Sequence, residues 1–273
     1  MTPRLVMRSS LVALAVIALP ARADPLDEVQ ALPCRPTIAC TAEIVPGGAL
    51  EIETGYAQRR AGAPAANSVL ALLKYSATDW LQLQLGSNNV MMSSGGASQW
   101  MDGVYLGPKV VVFEQTDSRP TLAISALFAL PTRSGSDAIA QTVDGDFWIY
   151  LSKDLLGFHA DLNLGADVLS ITDKPATQLL AALSVSHDVA YGLGAMLETY
   201  AFEGGGSYAA HDAGVLMGLS YAPTPRVTFD LGGDIALHRD TRSVTLFAGI
   251  TLVPYHGRRA APSAGRELAS ADH

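Results

Sequence analysis

The feature that most constrains this chain is a two-residue alternation of apolar and polar side chains, repeated from about residue 49 to residue 253. Leu81, Leu83 and Leu85 are interleaved with Gln82, Gln84 and Gly86. Phe158, Ala160, Leu162 and Leu164 alternate with His159, Asp161, Asn163 and Gly165, and Val227, Phe229 and Leu231 with Thr228, Asp230 and Gly232. Successive strand residues point to opposite faces of a sheet, so each segment reads as a strand with one apolar and one polar face. The pattern predicts about twelve strands of roughly ten residues, near 49–59, 67–76, 80–89, 102–115, 119–131, 144–153, 156–168, 176–187, 190–201, 209–221, 226–236 and 243–253.

Which face is apolar decides between water and lipid. A soluble barrel packs large aliphatics inward and covers itself with charge. Here the polar face is rich in Gly, Ser, Gln, Asn and Asp, and only 16% of all residues are charged. Those proportions fit an apolar exterior around a polar lumen. Connections after the even-numbered strands read as short (77–79, 116–118, 154–155, 188–189, 223–225), and those after the odd-numbered strands as longer, including 89–99 and 133–143. Short turns on one side and long loops on the other are the habit of transmembrane barrels. The expected fold class is therefore all-β: a transmembrane antiparallel up-and-down β-barrel of about 12 strands, with short periplasmic turns and longer outer loops.

The ends agree with that reading. Arg4 and Arg8 precede the apolar run Leu11 to Leu19, and Ala21-Arg22-Ala23 has the small-x-small form of a cleavage site. This is the pattern of a secretory signal, and the run is too short to span a bilayer. The expected organisation is a signal peptide over 1–23, a periplasmic N-terminal segment over 24–47 that partly plugs the interior, a barrel over 48–254 and a flexible tail over 255–273. Without the first 23 residues and their three arginines, 15 basic residues stand against 26 acidic ones, a net charge of −11. That balance argues against nucleic acid and favours cations in an aqueous path. Cys34 and Cys40 lie close together in an oxidising compartment, which points to a local disulfide. Two cysteines with no nearby histidine do not complete a metal site, and no cofactor motif is present.

Strand parity assigns a set of side chains to the lumen: Glu51, Glu53, Lys74, Gln82, Gln84, Tyr105, Lys109, Trp148, Tyr150, His159, Asp161, Asn163, Glu198 and Asp230. They read either as interior filling that pairs across strands or as a path for polar, cationic or aromatic solutes. Glu51 and Glu53 are expected to face Lys74, and Asp161 and Asn163 to face Tyr150 and Trp148. Enzymatic arrangements find little support. Ser184, Ser186 and His187 do not share a face, and no serine is fixed beside His159 and Asp161.

Several of these segments also resemble a known family. Gly48-Ala49-Leu50-Glu51-Ile52-Glu53-Thr54-Gly55-Tyr56, Tyr75-Ser76-Ala77-Thr78-Asp79-Trp80-Leu81-Gln82-Leu83-Gln84-Leu85-Gly86, Asp102-Gly103-Val104-Tyr105-Leu106-Gly107-Pro108-Lys109, Ala129-Leu130-Pro131-Thr132 and Asn163-Leu164-Gly165 carry the likeness. The sequence resembles the outer-membrane transporters labelled as the putative MetA-pathway of phenol degradation, from Gly48 to Leu252. That resemblance implies a channel for small molecules, hydrophobic or aromatic compounds among them, with no catalytic residues and no cofactor. The expected location is the outer membrane with both termini periplasmic. The expected partners are outer-membrane lipid, a small-molecule substrate and the barrel-assembly machinery. The alternatives are a non-transporting structural barrel and a lipid-modifying outer-membrane enzyme.

Overall fold

The computed structural model describes residues 29–60, 65–88, 91–93, 98–99, 104–130, 145–171, 174–204, 212–238 and 242–256. Twelve long strands form the wall: β1 (Ala49–Arg60), β2 (Ala66–Ser76), β3 (Leu81–Asn88), β4 (Val104–Phe113), β5 (Thr121–Leu130) and β6 (Gly145–Leu155), then β7 (Phe158–Ile171), β8 (Lys174–Ala190), β9 (Leu193–Gly204), β10 (Asp212–Thr224), β11 (Val227–His238) and β12 (Arg242–His256). Each pairs antiparallel with its neighbour in sequence, and β1 also pairs with β12 from Ala49↔His256 to Arg60↔Val244. The twelve long strands thus close on themselves as a barrel. Two short pieces, Met91–Ser93 and Ser98–Gln99, pair with each other between β3 and β4.

The wall is apolar outside and polar inside. Leu83, Leu106, Ile149, Leu164, Leu183, Leu197, Val215 and Leu231 are all exposed, whereas Glu51, Glu53, Gln82, Lys109, Asn163 and Glu198 are buried. An exterior of this kind suits hydrocarbon, because a closed ladder pairs backbone groups from strand to strand. Pro108 in β4 cannot donate to the ladder, and the β4–β5 pairing is interrupted between Leu106↔Phe128 and Lys109↔Ser125 without loss of register.

Connection lengths depart from strict alternation: the β11–β12 link is only residues 239–241, whereas the β4–β5 link runs over residues 114–120. Ile171 pairs directly with Lys174, so the link between β7 and β8 is only residues 172–173. The chain there is spent on long strands, 14 and 17 residues, instead of on a loop. The expected end of the barrel at residue 254 also moves outward, since β12 continues through Tyr255 to His256. The signal segment 1–23 and the tail beyond His256 lie outside the described residues.

Residues 29–48 carry no strand, and they do not hang below the barrel. They run inside it. The described part of the segment expected to partly plug the interior thus lies within the lumen. Val29, Ala31 and Val45 pack with Ala49 and Val253, Ala39 with Ala182 and Tyr200, and Ala42 with Ala123 and Tyr150. These small apolar clusters are spaced around the inner wall. Between them, polar contacts do the fastening.

Candidate functional site

All fourteen side chains assigned to the lumen by parity point inward, and most of them are buried. What the alternation did not show is that the N-terminal segment occupies them. The segment rises along β1, crosses the lumen and descends along β5 and β6.

The rising limb is held through its backbone. Leu32 N donates to Glu51 Oε2 at 2.6 Å, and Cys34 N to Glu53 Oε1 at 3.0 Å. Lys74 sits opposite Glu51 in the β1–β2 register, and its ammonium pairs with the carboxylates of both Glu51 and Glu53. Lys74 Nζ also donates to Leu32 O at 2.7 Å. A buried ion pair needs its remaining lone pairs and protons satisfied, and here the plug backbone supplies part of that.

The crossing spans residues 35–39. Arg35 reaches Asp230 on β11, with 3.8 Å between Nη2 and Oδ1. Its guanidinium lies over two glycines. A Cβ on Gly55 would come within 2.2 Å of it, and one on Gly249 within 2.7 Å. On the far wall Glu198 takes Ile38 N and Ala39 N, one per carboxylate oxygen, both at 2.9 Å. A disulfide joins Cys34 to Cys40, closing the crossing into a loop with 4.5 Å between the Cα atoms.

The descending limb meets a connected polar chain. Ala42 N donates to Ser152 Oγ at 2.5 Å, and that hydroxyl donates to Asp161 Oδ1 at 2.5 Å. Asp161 and Asp154 flank His159 at 3.1 and 2.7 Å. Lys109 Nζ donates to Thr41 O and, at 3.2 Å, to Glu43 O, and it lies 4.5 Å from the centre of the Tyr150 ring. Burial pushes the Glu43 carboxyl above the ordinary carboxylate range, with His159 pulling the other way, so a charge at this point of the limb is disfavoured. The return to β1 is fixed by Gly47 N on Asp79 Oδ1 at 2.9 Å and Gly48 N on Ser76 O at 2.6 Å.

The remaining lumen residues make wall-to-wall contacts. Gln84 Nε2 donates to Gln82 Oε1 at 3.0 Å. Trp148 stacks on Tyr150 at 6.3 Å between ring centres, and the Tyr150 hydroxyl pairs with Ser125 Oγ at 2.9 Å. Tyr105 lies over Gly86, where a Cβ would come within 2.1 Å of its ring. The β6–β7 register is offset by two from the expected one: Asn163 faces Tyr150, Trp148 faces Gly165 and Asp161 faces Ser152. Asn163 is 1% exposed, and neither of its amide atoms finds a hydrogen-bond partner among the described residues.

Charge in the lumen leans negative. Glu51, Glu53, Asp161, Glu198 and Asp230 are set against Arg35, Lys74 and Lys109. Sequence reasoning raised a partial plug and found the charged wall partners, but not Ser152, Ser76 or Asp79, nor which plug residues each wall residue holds. Residues 29–48 have no period, and partners such as Glu198 lie 160 positions away, with Asp230 farther still.

Similarity to known proteins agrees with the geometry. The family model described as Putative MetA-pathway of phenol degradation matches residues 35–252. The crystal structure of the COG4313 outer membrane channel from Pseudomonas putida F1 is similar in fold, with a TM-score of 0.60 at 16% identity, over 78% of this chain and 97% of that one. The NanC porin follows with a TM-score of 0.55 at 12% identity, over 74% of this chain and 98% of that one. No curated protein matches the sequence.

Proposed function

The chain belongs to the family described as Putative MetA-pathway of phenol degradation, and on that premise we propose that it is an outer-membrane channel for small molecules, narrowed by its own N-terminal segment. One observation carries this reading: a closed wall surrounds a polar, acid-leaning lumen, and a stretch of the chain's own N-terminal segment threads it and takes part of its buried charge. A barrel with only a structural role has no use for such an insert, because cross-strand pairing alone would fill it. The stacked Trp148 and Tyr150 beside Asn163 give the lumen an aromatic surface with polar groups at its edge, which suits small aromatic or hydrophobic solutes. The fourteen lumen residues are then the walls of the path, and none of them is catalytic.

Both termini lie on the short-turn, periplasmic side in this reading. Insertion passes through the barrel-assembly machinery, and outer-membrane lipid covers the apolar belt. Porins and channels share the fold, which supports a non-enzymatic role.

The test is transport by the full-length protein in proteoliposomes. Uptake of phenol and toluene above the rate of empty liposomes is expected, together with small, cation-preferring conductance steps in planar bilayers. A version lacking residues 29–46 should conduct several-fold more. If removal of that segment leaves the bilayer electrically silent and solute uptake at background, the barrel is structural and the proposal fails.

A further inference from the structure

The disulfide sits at a mechanically decisive point of the plug. Cys34 belongs to the limb that climbs along β1, and Cys40 packs beside Ala42, Ala123 and Tyr150 on the opposite limb. Their bond therefore ties the two limbs together where they meet and encloses residues 35–39 in a loop whose ends lie 4.5 Å apart. That crossing touches the wall through Arg35 on β11 and through Ile38 and Ala39 on β9. With the bond intact, no limb can leave its wall without moving the other.

The two sulfurs are not equivalent. Cys34 is 8% exposed, while Cys40 is only partly buried. Lys74 Nζ lies 3.8 Å from Cys34 Sγ and donates toward it, although Glu51 and Glu53 share the same ammonium. An incoming thiolate thus has easier access to Cys40, and the sulfur left behind has a donor beside it.

We propose that the Cys34–Cys40 disulfide is a redox latch on the plug: a dithiol reductant that opens it frees residues 35–39 from β9 and β11 and unblocks the lumen. The effect on transport rests on the channel reading above; the release of the crossing does not. In the first step a thiolate of the reductant attacks Cys40 Sγ. The S–S bond breaks, and its electron pair leaves on Cys34 Sγ, which takes a proton from solvent. The second thiol of the reductant then displaces Cys40 from the mixed disulfide. The protein gains two electrons and two protons, and the reductant departs as its own cyclic disulfide. Opening so short a loop shifts the balance between docked and released crossing by roughly tenfold to a hundredfold.

Full-length protein in detergent, with and without dithiothreitol, gives the direct test by deuterium exchange at Ile38 and Ala39. Exchange there is expected to speed up ten- to a hundredfold on reduction while Leu183 in β8 is unchanged, and to slow again on reoxidation. A Cys34→Ser, Cys40→Ser double variant should show the fast exchange without reductant and no response to it. Unchanged exchange at Ile38 and Ala39, with labelling showing two free thiols, overturns the latch. Planar-bilayer conductance is read in parallel. Faster exchange with unchanged conductance leaves the latch standing and removes the channel reading. Peptide mapping after partial reaction with glutathione is expected to find the adduct on Cys40, and an adduct on Cys34 overturns the order of attack.

Discussion

Lys74 stands opposite Glu51 across the β1–β2 ladder, and the same ammonium also holds Glu53 and the backbone carbonyl of Leu32. One cation thereby joins two wall carboxylates to the plug. Replacing it by Met (Lys74→Met) strands two buried carboxylates, which typically costs about 3–5 kcal/mol. The urea midpoint of the folded barrel, followed by its gel shift without boiling, should fall accordingly. Adding Glu51→Gln and Glu53→Gln to that variant should recover most of the loss, since neutral amides no longer require a counter-charge.

Glu198 offers a cleaner way to loosen the plug. Glu198→Ala removes both acceptors from Ile38 N and Ala39 N, at about 1–3 kcal/mol for each buried donor left unpaired. Amide exchange at those two positions should rise at least tenfold. Glu198→Gln keeps one acceptor oxygen and should fall between the two. The unfolding midpoint of the barrel should change less than in the Lys74 variant, because no carboxylate is left uncompensated.

The glycine cradle under Arg35 predicts a steric coupling. Gly55→Val places its Cβ within 2.2 Å of the guanidinium and should force the crossing off the β1–β12 wall. Arg35→Ala removes the clash. Exchange at Ile38 and Ala39 in the double variant should therefore lie closer to the parent than in Gly55→Val alone, with a coupling of about 1 kcal/mol or more. Simple additivity would place Arg35 elsewhere.

On the outer surface, Leu183 lies between Leu162 and Thr199 in the ladder and is exposed. Leu183→Arg should destabilise the folded barrel in lipid vesicles by about 2–4 kcal/mol if this position faces the bilayer midplane. Asp188→Arg, near the β8–β9 turn, should cost no more than about 1 kcal/mol. Equal effects at the two positions would contradict a lipid-facing belt.

How much of this was legible beforehand depends on where the information resides. The alternation set every strand boundary within three residues of those observed, because a two-residue period on a half-buried sheet is written locally. It also turned Glu51, Lys74 and Glu198 to the correct face. The pairing of Glu51 with Lys74 followed from adjacency in a short hairpin. Trp148 opposite Gly165 did not follow, since a shift of two residues along a strand preserves parity and only the ladder fixes register. The plug was hardest to see. Its contacts join backbone amides of residues 32–42 to carboxylates and a hydroxyl on the wall, and a backbone amide is common to nearly every residue type, so no sequence pattern marks them.

That anonymity has an evolutionary consequence. The wall grips Leu32, Cys34, Ile38, Ala39 and Ala42 by their amides, and Leu32, Thr41 and Glu43 by their carbonyls. Side chains at many of these positions can therefore drift without loosening the grip, proline at the donor sites excepted. The insert behaves as an exchangeable cartridge: its chemistry can be rewritten over some twenty residues while the barrel that receives it stays the same.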